Sequence, residues 1–213
     1  MPERSPVFQV RAHGPMACFT RPELKVERVS YEVMTPSAAR GILEAILWKP
    51  AIRWCIDRIH VLNPIKFGQL RRNEVNGRLS ERGNHAAYFA DEDRAQRNTL
   101  FLADVDYIIA AHFEMTAKSG PEDNLTKFVE MFQRRLDKGQ RFHQPYLGCR
   151  EFEAIVEPAP DPLPNPHESL KGLRPLGLIL HDIEFGPESK ARFFEARLDD
   201  GVMIVPPFEE VPA

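Results

Sequence analysis

Long apolar runs are missing from this sequence: the longest, Tyr107 to Ala111 and Leu176 to Leu180, fall far short of the roughly 20 residues that cross a bilayer. No membrane helix is expected. The opening residues, MPERSPVFQV, lack a basic flank followed by an apolar stretch, so no secretory signal is read and a cytoplasmic protein is expected. Cysteine is scarce. Cys18, Cys55 and Cys149 are three in number and far apart, which argues against a disulfide framework and against a Cys-rich zinc site. They are expected to be reduced and mostly buried. The seven histidines are scattered, and no His-x-x-x-His or His-x-Glu pattern is read as placing two ligands on one face. Neither a metal nor any other cofactor is expected. Internal repeats are absent, and the proline-rich stretch near residue 160 is the one biased tract.

What is present is enough to build a core. With 213 residues and 43% hydrophobic content, the chain suits one generous domain, or one domain with a smaller appendage. The net charge of −3 hints at no polyanion partner, but its distribution does. Residues 1 to 83 hold 14 Lys/Arg against 8 Asp/Glu (14 − 8 = +6), and residues 84 to 213 hold 14 against 23 (14 − 23 = −9). A basic front and an acidic back suggest one face turned to polyanions.

Val7 to Ala12 alternates as a first strand. Thr35 is placed to cap a helix whose first position is Pro36, and the helix is expected to run to about Trp48, before Pro50. AIRWCIDRIHVL reads as a strand with Trp54 toward the core, and Trp48 is also expected to be core. The polar segment 64–98, with Gly68, Gly77 and Gly83, reads as an inserted hairpin or loop. ADVDYIIAAHFEM is a long strand that puts Tyr107, Ile109, Ala111 and Phe113 on one face and Asp106, Ile108, Ala110, His112 and Glu114 on the other. A second helix is expected from about Asn124 to Lys138, with Asp123 or Asn124 able to cap it and Gly139 to stop it, and a short strand from Glu151 to Val156.

This β-α-β-β-α-β order predicts an α+β, ferredoxin-like (RRM-like) domain, with two helices on one face of an antiparallel sheet and the other face open. The expected division is a domain at 1–157, a Pro-rich linker at 158–171, and a small antiparallel β-sheet domain at 172–213. In that last part GLILHDIEF, ARFFEARL and VMIV supply the strands, and Asp200-Gly201 signals a turn.

Several strings, in order, carry a resemblance: SYEVMTPSAARGILEAILWKP, RIHVLNPI, RRNEV and PYLGCREF. Together they resemble the CRISPR-associated family-five proteins of type I-C systems, strongly over residues 16 to 156 and weakly beyond. The resemblance implies a protein that binds the hairpin repeat of CRISPR precursor RNA, cleaves at its base and keeps the 5′ handle of the guide. It also implies partnership with the other type I-C surveillance-complex subunits, with duplex DNA as a possible further ligand. Two alternatives stand beside it: a noncatalytic handle-binding subunit, and a general RRM-like RNA- or DNA-binding protein.

Such cleavage needs no metal, because RNA supplies its own 2′-OH nucleophile while a base, an acid and a charge-stabilising donor assist. The family's proposed set is a tyrosine before the Trp-Lys-Pro of the first helix and a lysine–histidine pair on the third strand. Only the histidine carries over, as His112; the other positions are Leu47 and Ala111. Tyr31, Lys49, Lys118 and His60 are the nearest chemical substitutes. For RNA contacts the candidates are Arg21, Lys25 and Arg28 before the first helix, and Arg71, Arg72 and Arg78 in the inserted segment. Gly148 and Arg150, in the loop before the last strand, complete the set.

Overall fold

A computed structural model describes residues 3–24, 26–77, 93–184 and 189–212. Its spine is one 22-residue strand, β5 (Arg94–Met115). The C-terminal half of β5 pairs antiparallel with β1 (Phe8–Ala17) on one side and β3 (Ile52–Val61) on the other. Its N-terminal half pairs with β4 (Phe67–Val75) and, in parallel, with the two-residue β2 (Arg28–Val29). Asp104, at φ 51°, sits where the strand changes partners; aspartate tolerates this left-handed conformation better than most side chains. The ribbon of β4 and β5 is where the sequence read an inserted hairpin. Residues 78–92 lie outside the described residues, and β5 begins earlier than its apolar pattern suggested.

Two helices cover one face. Helix α1 (Pro36–Ile46) starts as read, with Thr35 Oγ1 accepting from Ala38 N, but ends at Ile46 and leaves Trp48 outside it. Helix α2 (Leu125–Asp137) is capped by Asn124 and followed by Gly139 at φ 62°. Between helices and sheet lies an aromatic cluster: Phe132 of α2 stands 4.8 Å from Phe8 and 4.6 Å from Trp54, and Trp54 stands 5.2 Å from Phe113, by ring centroids. Burying each such ring contributes about 2–3 kcal/mol. Trp54 Nε1 also donates to Leu47 O at 2.9 Å, so its polar atom is satisfied. Trp48 is 60% exposed, contrary to the expectation that it is core.

β6 (Ile155–Pro158) pairs with β1, giving the local order β6-β1-β5-β3. Beyond it the chain packs rather than dangles: His167 N donates to Leu62 O at 2.8 Å and Leu170 is buried. β7 (Leu173–Glu184) and β8 (Lys190–Asp199) form a hairpin, and β9 (Val202–Ile204) pairs with Arg58–His60 of β3. The late strands therefore extend the same sheet. Their buried side chains, Ile179, Phe194, Leu198 and Met203 among them, join the same core, and Arg40 of α1 forks onto Asp182 at 2.8 Å through two nitrogens.

Candidate functional site

Period two along the strands sends Cys55 and His112, which are paired in register, to the face away from both helices. A bulge between Ile56 and Arg58 of β3 inserts Asp57 beside them. Bulges re-aim side chains in this way. His112 Nδ1 donates to Asp57, lying 3.0 Å from each carboxylate oxygen, while Nε2 lies 3.9 Å from Glu114 Oε1. Hydrogen bonding to Asp57, then to Cys55, outweighs burial and raises the imidazole to about 10, so it is cationic at neutral pH. Arg53 NH2 donates to Glu114 Oε2 at 3.0 Å and to Glu209 Oε1 at 2.8 Å, closing the cluster against the chain's last described turn.

An acid, a carboxylate and a guanidinium thus share one patch, with side-chain exposures of 13% (His112), 20% (Glu114) and 47% (Arg53). The ligand atoms of Cys55, His112 and Glu114 lie within 4.8 Å of one another, a spacing from which a metal ion could be held. Asp57, Glu114, Cys55 and Arg53 were not singled out from the sequence. For Glu114 the signal was available: His112-x-Glu114 on a strand puts two side chains on one face. For Asp57, 55 positions from His112, none was.

The structure does not bring the other catalytic candidates to His112. Tyr31 is 2% exposed and Ser30, its neighbour, bonds to Leu100 O, twelve residues from His112 along β5. Lys49 and Lys118 are exposed in turns where the strands end: Thr116 N donates to Ala51 O at 2.9 Å. His60 is half-buried four residues from His112 in register, pairing with Ile108, and burial lowers its pKa. Leu47 and Ala111 are both buried on the helix side, the opposite face from His112.

The RNA-binding candidates divide. Arg72 turns inward and pairs with Glu151 and with Glu74 (3.0 Å). Arg28 pairs with Glu151 at 3.1 Å, and Arg97 lies 3.7 Å from Glu74. These arginines knit the ribbon to the body, because a cation on its inner face meets carboxylates there before any ligand. Arg21 stacks 4.6 Å over the Tyr31 ring. Arg71 and Arg150 are exposed, whereas Lys25 and Arg78 lie outside the described residues. Gly148, at φ 85°, packs so tightly that a Cβ would fall 2.1 Å from Cys18 O. It lines a cleft of about 270 Å³ with Thr20, Tyr146, Leu180 and the first turn of α1. Beside it Arg28 NH1 meets Cys149 Sγ at 3.3 Å; hydrogen bonding from Cys18, then from Thr20 and Arg28, lowers the Cys149 thiol against the effect of burial.

A family model described as CRISPR-associated protein (Cas_Cas5) matches residues 7–206. The chain is 51% identical to the CRISPR pre-crRNA endoribonuclease Cas5d of Mannheimia succiniciproducens, over 95% of this chain and 98% of that protein. It is 41% identical to the protein of the same name from Thermus thermophilus, over 93% and 91%. A crystal structure described as a CRISPR-associated protein superposes with a TM-score of 0.76 at 25% identity, covering 100% of this chain and 98% of that one. A chain of a CRISPR RNA-guided surveillance complex shares the fold, with a TM-score of 0.53 at 18% identity over 96% and 92% of the two chains.

Proposed function

The chain belongs to the Cas5d family of CRISPR-associated proteins, and from that premise we propose that it is an endoribonuclease that cuts CRISPR precursor RNA at the repeat hairpin. It then keeps the 5′ handle within a type I-C surveillance complex. The order β6-β1-β5-β3 with both helices on one face supports reading this half as ferredoxin-like, with its helix-free surface as the RNA-facing one.

The observation that carries the proposal is the Asp57–His112 pair beside Glu114 and Arg53. His112, protonated and oriented through Nδ1, presents Nε2 as the acid that protonates the departing 5′ oxygen. Glu114 accepts the 2′-OH proton as that oxygen attacks phosphorus, Arg53 holds that carboxylate in place, and the imidazolium charge of His112 faces the charge gathering on the phosphorane. Asp57 is a positioning residue. The step consumes no co-reactant: one P–O bond forms, one breaks, and the products are a 2′,3′-cyclic phosphate and a 5′-hydroxyl. The residues at 47 and 111, buried on the far face, take no part.

Incubating the purified chain with a labelled repeat hairpin in EDTA tests this. We expect a cyclic-phosphate product, abolished by His112→Ala while hairpin affinity stays within a few-fold. Binding without cleavage favours the second reading, a noncatalytic handle-holding subunit, for which Leu47 and Ala111 speak. Equal affinity for the hairpin and a mixed-sequence duplex favours a general nucleic-acid binder.

A further inference from the structure

We propose that Cys18 and Cys149 are a buried dithiol that a small-molecule disulfide converts to a cystine, fastening the 146–154 turn to the end of β1. The proposal stands apart from the RNA-cleavage reading, since Cys18 lies against Leu100, twelve residues from His112 along β5.

All three cysteines are free, and the fold brings two of them together from 131 positions apart. Cys18 directly follows β1, and its N–H donates to Leu147 O at 3.0 Å, so the turn lies along the strand end. The approach is close enough that Gly148, between Leu147 and Cys149, has no room for a side chain beside Cys18 O. Cys149 Sγ lies 3.5 Å from that same carbonyl oxygen, and the two thiols hydrogen-bond to each other. The Thr20 hydroxyl touches both sulfurs, at 3.6 Å from Cys18 and 3.7 Å from Cys149. Backbones this close, with their side chains turned together, meet the separation a disulfide needs without moving either segment far.

The pair is unequal, which suits one sulfur to attack and the other to resolve. Hydrogen bonding from Cys18, then from Thr20 and Arg28, draws Cys149 down to about 6, while that same contact and burial push Cys18 up. The Arg28 guanidinium stands 3.3 Å from Cys149 Sγ, where it favours a thiolate. Cys149 is 8% exposed and Cys18 is 0% exposed, and the cleft lined by Gly148 and Thr20 opens beside them. Cys149 is therefore the sulfur that an entering disulfide meets. Its thiolate attacks one sulfur of that disulfide, forming a mixed disulfide and releasing a thiolate, which takes up the Cys18 proton. Cys18 then attacks the Cys149 sulfur and expels the second thiolate. Two protein sulfurs are oxidised, and one small disulfide is reduced to a thiol and a thiolate. The cystine withdraws Cys149 from Arg28, which keeps Glu151 and Glu74 as partners. With the other two cysteines committed to each other, Cys55 stops at a mixed disulfide.

Hydroxyethyl disulfide and glutathione disulfide, each applied to the folded full chain without denaturant, test this. A nonreducing digest should yield a Cys18–Cys149 cross-linked peptide and no link to Cys55, and dithiothreitol should reverse it. Iodoacetamide in substoichiometric amount should label Cys149 before Cys18. Cys18→Ser should stop at a mixed disulfide on Cys149, whereas Cys149→Ser should take up nothing at Cys18. Oxidation of the parent should raise its urea midpoint by about 1 M or more, because the bond closes a loop of about 130 residues in the unfolded chain. Should either serine variant fail to fold, the cross-link, the labelling order and the midpoint of the parent decide. A cross-link that forms only when urea is present, mixed disulfides on Cys18 and Cys149 with no bond between them, or an unmoved midpoint overturns the proposal. So does a folded chain in which Cys55 alone reacts.

Discussion

Replacing Asp57 by asparagine changes one oxygen and removes the charge that holds the His112 proton. Asp57 is the largest contributor to raising that imidazole to about 10, ahead of Cys55. Without it the group returns toward its ordinary value of about 6.5. At pH 8 the protonated fraction then falls from nearly all to about 3%, and a step that needs imidazolium as acid slows about 30-fold. Asparagine keeps a carbonyl oxygen for the Nδ1 proton, so the substitution tests the charge and not the anchor. Single-turnover cleavage of a labelled hairpin between pH 6 and 9 should show a flat profile for the parent and a rate falling tenfold per pH unit above about 6.5 for Asp57→Asn. Hairpin affinity should be little changed. The stability sign follows from the same shift. The folded value lies above the unfolded one, so the pair's contribution is full below about pH 6.5 and is lost as pH rises through about 10. The variant should lose that slope. NMR titration of the His112 ring gives an independent reading. A midpoint or a rate profile identical to the parent's would refute the assignment of His112 as an Asp57-held acid.

Glu114→Gln removes the proposed base without changing shape, and should slow cleavage about 100-fold or more with hairpin binding retained; an unchanged single-turnover rate would exclude Glu114 from proton transfer. Gly148→Ala is expected to cost about 2–3 kcal/mol or more, because the added carbon meets the Cys18 carbonyl and the backbone is at φ 85°. Urea denaturation measures it, and a midpoint within error of the parent's would show that this approach is not as close as described.

The helices were legible because each carries its own punctuation. Thr35-Pro36 and Asn124 cap their starts through local hydrogen bonds, and these need no tertiary context. Strand β3 and the apolar half of β5 were legible from composition and alternation. The polar half of β5 was not: residues 94–102 gain their strand geometry from β4, and a ribbon exposed on its outer face writes no hydrophobic period. The bulge at Asp57 was equally invisible, since register is a property of two strands and not of either one. The fourth expected strand shrank to Ile155–Pro158, because Tyr146 to Ala154 is a turn that packs Gly148 against Cys18.

Summed charge pointed to the first 83 residues as the polyanion-binding part, and ion pairing accounts for much of the charge behind that inference. Arg11 is held by Asp106 and Glu157, Arg28 and Arg72 by Glu151 and Glu74, Arg40 by Asp182, and Arg53 by Glu114 and Glu209. Most of the partners come from the acidic later half, so much of the sequence-level imbalance is the fold's own ion pairing read one strand at a time. A guanidinium already bridged by two carboxylates offers a phosphate little, because an incoming anion must displace or repel acids already in place. The field a nucleic acid meets is set by cations left over after folding. These include the exposed Arg71 and Arg150. Where the chain meets RNA is therefore decided by which positive charges the sheet and its carboxylates fail to neutralise.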